Sequence, residues 1–155
     1  MLQISKLTAL IIATLASITS SQIVNALPTQ TLTVVVNGIN NKKGQICIGV
    51  YDREKGFPSS TSNLADSACV NITGNTLKHK FFGLKPGNYA VAIVDDQNGD
   101  RKLNKDFFGI PTEGFGISNN PIVSIQTGTP DFGKAKFLLD KNTTINITVK
   151  YSLDP

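Results

Sequence analysis

Apolar and polar residues alternate with a period of two along much of the chain, a pattern typical of β-strands that bury one face. The pattern predicts seven or eight short strands separated by turn residues, at 31–39, 45–51, 68–73, 77–84, 88–95, 122–126, 134–139 and 143–151. No segment carries an apolar stripe at helical spacing over three turns, so helix is expected only as a short stretch near 62–68. The chain is therefore predicted to be almost entirely β.

The predicted strand at 88–95 is apolar on both faces, which indicates a central strand covered on both sides. It follows the corner Leu84-Lys85-Pro86-Gly87-Asn88-Tyr89, where the tyrosine hydroxyl is expected to bond back to the corner backbone. Short strands at this spacing form two packed sheets. We predict an all-β fold, an immunoglobulin-like or transthyretin-like antiparallel β-sandwich of seven to eight strands with one long ordered loop at 95–120.

The first 26 residues have the pattern of an export signal rather than of the fold. A short segment containing Lys6 precedes a mostly apolar run at 7–18, and Val24-Asn25-Ala26 places small side chains where a signal peptidase needs them. The apolar run is shorter than the roughly 20 residues that span a bilayer. We predict cleavage after Ala26, one mature domain at 27–155 and no transmembrane span after processing. The alternative is an uncleaved N-terminal anchor.

Cys47 and Cys69 are the only cysteines, and both lie in the predicted mature domain. An even number of cysteines in an exported chain predicts a disulfide. A redox or metal-binding pair is disfavoured, because the spacing is not Cys-x-x-Cys and the single histidine, His79, lies elsewhere. The bridge would staple the polar segment 53–67, and it fits a periplasmic or extracellular location.

Composition and charge exclude several classes of protein. The chain has 155 residues, 40% hydrophobic and 17% charged, which is too apolar for a disordered chain and too short for a large multidomain enzyme. The formal net charge of +4 is mild, and no basic cluster is longer than a pair such as Lys42-Lys43. We therefore expect no nucleic-acid partner.

The long loop opens with oxygen-bearing side chains at alternate positions, Asp96, Asn98 and Asp100. Such side chains can converge on one hard cation, so calcium is a candidate cofactor, and no other cofactor is expected. The match to an EF-hand is poor, because Arg101 stands where glycine is required and Phe107 where glutamate is required. The alternative is a turn in which Asp and Asn side chains cap their own backbone.

The second half of the loop, 108–120, interleaves glycine with aromatic residues, which predicts a tight segment close to a sheet edge or a ligand. Ser118 has no base beside it in sequence, and His79 shares a strand face with apolar residues, where a packed histidine is expected. The candidate binding residues of the whole loop are Asp95, Asp96, Asn98, Asp100, Glu113, Phe115, Ser118 and Asn119.

Three stretches carry a resemblance to a known family: 82–92 (FGLKPGNYAVA), 96–100 (DQNGD) and 108–120 (FGIPTEGFGISNN). With 130–135 and the last strand, they resemble the exported bacterial proteins of domain of unknown function 2141, over about residues 31–151. Gly56-Phe57-Pro58, between the cysteines, is similar to cyanobacterial members. The resemblance implies export and the β fold, and no activity.

The chain departs from the family pattern at three positions. The family usually has His where Asp95 stands, Gly where Arg101 stands, and often Asp where Asn104 stands. The last two departures weaken the calcium hypothesis for this chain.

The sequence thus predicts a secreted, non-enzymatic β-sandwich that binds an envelope or extracellular protein, peptide or glycan, or has a structural role. Its 95–120 loop would be the recognition surface, with or without a stabilising cation. The alternative is a hydrolase in which Glu113 works with Asp96 or Asp100 in an open cleft. If Glu113 is buried and bonded to loop amides, a structural carboxylate is favoured over the hydrolase.

Overall fold

Two β-sheets pack face to face in residues 28–155, the part of the chain that this computed structural model describes. The strands are β1 Gln30–Asn37, β2 Gln45–Tyr51, β3 Asp66–Asn71, β4 Thr76–Leu84, β5 Gly87–Asp96, β6 Gly114–Ile117, β7 Phe137–Leu139 and β8 Thr143–Thr148, with one short helix, α1, at Phe132–Ala135. The predicted all-β sandwich is confirmed.

The first sheet has the order β4-β1-β8 and the second the order β3-β2-β5-β6, with β7 also paired to β5. All pairs are antiparallel except β1 with β8, which run parallel. The predicted signal peptide at 1–26 lies outside the described residues. Within 28–155, no helix has the length and apolarity needed to cross a membrane.

The core lies between the sheets, and the period-two alternation builds it. Inward residues of β1, β2, β5 and β8 alternate with more exposed ones, so the two apolar faces interdigitate. The fully buried core side chains include Leu32, Val34, Val36, Ile46, Val50, Val91, Leu139 and Ile147. His79 is half-buried with its ring 4.8 Å from that of Phe81, as expected for a packed histidine.

Two predicted contacts that fasten this sandwich are confirmed. The hydroxyl of Tyr89 donates to the carbonyl of Lys85 at 2.9 Å, which makes the tyrosine corner before the central strand β5. Cys47 and Cys69 stand opposite each other on β2 and β3 and form the predicted disulfide.

Two sequence predictions were wrong, a third was wrong in part, and local side-chain bonding explains them. Residues 122–126 are not a strand, because Ser124 and Thr127 bond to each other's backbone amides and close a turn. The helix expected near 62–68 is absent, since β3 begins there. The short helix lies instead at α1, where the Asp131 side chain caps the amide of Lys134 at 2.9 Å. The predicted strand 134–139 is therefore wrong at its first residues and is reduced to β7, Phe137–Leu139.

Strand β6 was missed because it alternates glycine with large apolar residues inside a glycine-rich loop. Its glycines face the other sheet. A Cβ added at Gly116 would lie 2.7 Å from Cγ2 of the buried Ile147 and 3.0 Å from Ile93. Glycine therefore lets β6 pack closely against β8, and the predicted 95–120 loop is divided by a strand at Gly114–Ile117.

Substitution Gly116→Ala is expected to lower the free energy of unfolding by about 1–3 kcal/mol, because the stiff side chains around it must shift. Gly74→Ala is the matched control, since a Cβ there meets nothing within 4 Å. Urea unfolding of both variants measures the difference. Equal midpoints for the two variants would contradict the close packing of β6.

Candidate functional site

Three carboxylates are buried where β5 ends and β6 begins. Asp95 and Asp96 are the last residues of β5 and are 0% exposed, and Glu113, which precedes β6, is 8% exposed. The pairing of Asp95 with Gly114 brings Glu113 to the end of β5. None of the three takes part in an ion pair with a described residue, so hydrogen bonds must compensate for their burial.

Glu113 fastens both ends of the first part of the loop. Its Oε1 accepts the backbone amide of Gln97 at 3.0 Å, and its Oε2 accepts that of Asn104 at 3.0 Å. Hydrogen bonds to a charged acceptor are stronger than neutral ones, so this side chain holds the segment between the two amides. Glu113 is thus a buried carboxylate bonded to loop amides, which does not favour the hydrolase hypothesis.

Asp96 holds the turn that follows it. Its Oδ1 accepts the amide of Gly99 at 2.7 Å, and its Oδ2 accepts the amide of Arg101 at 3.0 Å and Nε2 of Gln45 at 3.0 Å. Arg101 has a positive φ of 61°. This is the left-handed conformation that glycine adopts more easily, and here an arginine is held in it.

Asp95 ties the loop to the end of the chain. Its carboxylate accepts from the hydroxyl of Tyr151, from Nε2 of Gln97 and from Nδ2 of Asn41, the last at 3.0 Å. Burial and the bond to Asp95 both raise the pKa of Tyr151. Asp95 therefore acts as a junction between the sandwich core and the loop.

The calcium candidates lie on one turn, but amide groups occupy the space between their oxygens. Nδ2 of Asn98 donates to Oδ2 of Asp100 at 3.2 Å and to Oδ1 of Asn104 at 3.0 Å. Bonds from the Asn104 side chain and the Lys102 amide lower the pKa of Asp100. Among residues 28–155, no three His, Cys, Asp or Glu side chains are grouped to hold a metal.

The tip of the loop is internally bonded and exposes two aromatic rings. Oδ1 of Asp106 accepts the amides of Phe108 and Ile110, each at 2.9 Å. Phe107 is 96% exposed and Phe108 is 83% exposed.

Ser118 and Asn119 form structural contacts. The Ser118 hydroxyl donates to the carbonyl of Ala135 at 2.7 Å and accepts the amide of Val91 at 2.9 Å. Asn119 donates to the carbonyls of Lys134 and Lys136 at 3.1 and 3.0 Å. These bonds fasten the end of β6 to the segment around α1, and Ser118 has none of the contacts of an activated nucleophile.

The remaining predicted site residue, Phe115, lines a cleft that the sequence did not reveal. Residues paired across antiparallel strands point to the same face of a sheet. On the second sheet, one such row runs Ser67, Gly49, Ala92, Ile117 and the next runs Cys69, Cys47, Val94, Phe115. Both rows lie on the face turned away from the core and form the floor of a cleft of about 760 Å³, here called the outer cleft.

Three segments wall the outer cleft. Pro58 and Leu64, from the connection between β2 and β3, stand on one side, and Val123 and Pro130 contribute from the stretch before α1. The hydroxyl of Tyr51 donates to the carbonyl of Pro58 at 2.8 Å and fastens this wall, and burial raises the pKa of Tyr51 to about 12. A small second core covers the same face next to the floor, and it consists of Ile117 from the floor together with Ala90, Ala135, Phe57 and Phe132.

The third wall is the carboxylate-held loop itself. It contributes Arg101, Lys102, Leu103 and Lys105 to the outer cleft. The residues of 28–155 that line the cleft include these three basic residues and no aspartate or glutamate. Asp95, Asp96 and Glu113 are therefore buried and bonded to the loop, whereas its basic residues line the cleft.

A signal for the cleft was present in the sequence, in the apolar residues on both faces of β5. Ala92 and Val94 point outward and are partly exposed, because no layer of the fold fully covers them. Locating the cleft needed the register of four strands, which alternation alone does not provide.

Residues 34–146 match the family model described as "Uncharacterized protein conserved in bacteria (DUF2141)". No curated protein and no solved structure matches the chain. The family resemblance seen in the sequence is confirmed, and the closer likeness to cyanobacterial members stays a prediction.

Because amide groups already fill the space between the candidate oxygens, millimolar calcium is expected to raise the melting temperature by less than about 1 °C. Thermal unfolding with calcium and with a chelator measures this. A rise of several degrees that Asp100→Asn abolishes would contradict the expectation and support the calcium site predicted from the sequence.

Proposed function

The chain belongs to the bacterial family DUF2141, and we propose that it is an exported, non-enzymatic module that binds a ligand in the outer cleft. The observation that carries this proposal is the cleft itself, which has a largely apolar floor on the sheet and walls formed by three segments of the chain. Its volume of about 760 Å³ falls within the roughly 300–1,000 Å³ of small-molecule sites.

The side chains that could take part in catalysis are better explained by a binding role. Glu113 and Asp96 do not line the outer cleft, and their oxygens accept loop amides. Ser118 is bonded to the backbone of two other segments, and His79 belongs to the opposite sheet. The polar groups lining the cleft, such as Gln45 and Thr61, can orient a ligand but form no nucleophile and base pair.

Export is supported by two independent features. Residues 1–26 have the pattern of a signal peptide, and the Cys47–Cys69 disulfide is a bond that persists in oxidising compartments. The disulfide also forms part of the cleft floor. We infer a periplasmic or extracellular module, with the mature domain at 27–155 and a ligand from that compartment.

The binding surface that we propose thus differs from the one that the sequence predicted. The loop is one wall of the site rather than the whole of it, and Asp95, Asp96 and Glu113 act by holding that wall. Phe107 and Phe108, at the exposed tip of the loop, are not among the residues that line the cleft.

Filling the cleft floor is expected to abolish binding. The probe is the neutral dye N-phenyl-1-naphthylamine, whose fluorescence rises in an apolar site. Ala92→Trp places an indole in the middle of the floor. Ser67→Trp places one at the edge of the floor, at an exposed position of the same row, with lower risk to folding. Each variant is expected to weaken dye binding by about tenfold or more, measured by titration.

Phe107→Ala is the matched control, because it removes the most exposed aromatic ring without touching the cleft. It should leave dye affinity unchanged. Thermal unfolding confirms that each variant is folded. Folded Trp variants that bind the dye as tightly as the wild type would overturn the proposed function.

A further inference from the structure

We propose that the occupant of the outer cleft is a small amphiphilic anion, with an apolar body on the sheet floor and an anionic head against Arg101, Lys102 and Lys105. This inference rests on the proposed function and names the ligand class of the same site. It stands in place of the protein, peptide or glycan expected from the sequence.

The charges of the cleft are distributed on one side. Its three cations all belong to the loop wall, whereas the facing wall presents Pro58, Ser59, Thr61 and Leu64, which are uncharged. None of the three cations is in an ion pair with another residue of 28–155. Unpaired cations along one side of an apolar-floored cleft attract and orient an anion.

The carboxylates near these cations accept backbone amides of the loop. Asp96 accepts the amide of Arg101, Asp100 accepts the amide of Lys102 at 2.9 Å, and Glu113 accepts the amide that precedes Lys105. Each carboxylate thus holds the backbone that carries a cation, without pairing with its side chain. The cationic wall is ordered before a ligand arrives, which lowers the entropy cost of binding.

The floor favours an apolar body over a purely polar anion. Gly49, Ala92, Val94 and the disulfide offer no hydrogen-bonding side chain, and Leu64 and Phe115 flank them. A small inorganic anion would satisfy the cations but leave this surface in water. A ligand with both parts gains from apolar burial as well as from charge.

The test compares 8-anilinonaphthalene-1-sulfonate with N-phenyl-1-naphthylamine, since the two dyes share a ring system and only the first is anionic. In the triple variant Arg101→Gln, Lys102→Gln, Lys105→Gln, affinity for the anionic dye is expected to fall about tenfold or more. Affinity for the neutral dye is expected to change less than about twofold. Wild-type affinity for the anionic dye should also fall as salt rises.

The control variant Lys78→Gln, Lys80→Gln, Lys85→Gln removes the same charge from exposed positions on and beside β4, outside the cleft. It should bind both dyes as the wild type does. Dodecanoate is expected to displace the anionic dye, and inorganic sulfate at the same concentration is not.

Three outcomes would overturn the inference: equal weakening of both dyes by the loop variant, equal weakening of the anionic dye by the control variant, or displacement by sulfate alone. In each case the proposed function survives if Ala92→Trp still abolishes binding of the neutral dye. If Ala92→Trp leaves both dyes bound, the proposed function fails as well.

Discussion

The burial of three carboxylates at the junction of β5 and β6 is the constraint on which the rest of the site depends. A carboxylate taken out of water is costly unless donors replace its hydration. Here most of the donors come from the loop that leaves β5. The loop can supply these hydrogen bonds to Asp96 and Glu113 only in one conformation. The buried carboxylates therefore hold the loop in that conformation.

That order has consequences away from the carboxylates. It sets the wall that carries Arg101, Lys102 and Lys105, and it lets the sheet keep a partly uncovered outer face behind that wall. The small residues of the floor fit the same arrangement. A Cβ at Gly49 would lie 2.9 Å from the Leu64 side chain, so a larger residue would press on the opposite wall.

Much of the fold was predictable, because period-two alternation is local and the sandwich core follows it. The tyrosine corner and the disulfide were also predictable, since each rests on a short motif or a simple count. Strand β6 was not, because Gly114 and Gly116 face inward and remove the apolar signal on that side. A strand was predicted where Ser124 and Thr127 form a turn. The pattern of apolar and polar residues gives no sign of the side-chain hydrogen bonds that close this turn.

The candidate site was likewise predictable only as far as local sequence patterns reach. The sequence singled out Asp95, Asp96 and Glu113 as candidate binding residues, but the part that each plays in the loop depends on its burial, which the sequence did not reveal. The outer cleft depends on which residues stand side by side across β3, β2, β5 and β6, and on two distant segments that wall it. No single stretch of sequence contains that information.

Amide hydrogen exchange of Glu113→Gln, followed residue by residue, tests the central claim most directly. In the wild type, the amides of Gln97 and Asn104 should be protected. In the variant they should exchange about tenfold faster or more, while strands β2 and β5 stay protected, and Glu54→Gln, at an exposed position, should change neither. Amides at Gln97 and Asn104 that are unprotected in the wild type, or unchanged in the variant, would contradict the account.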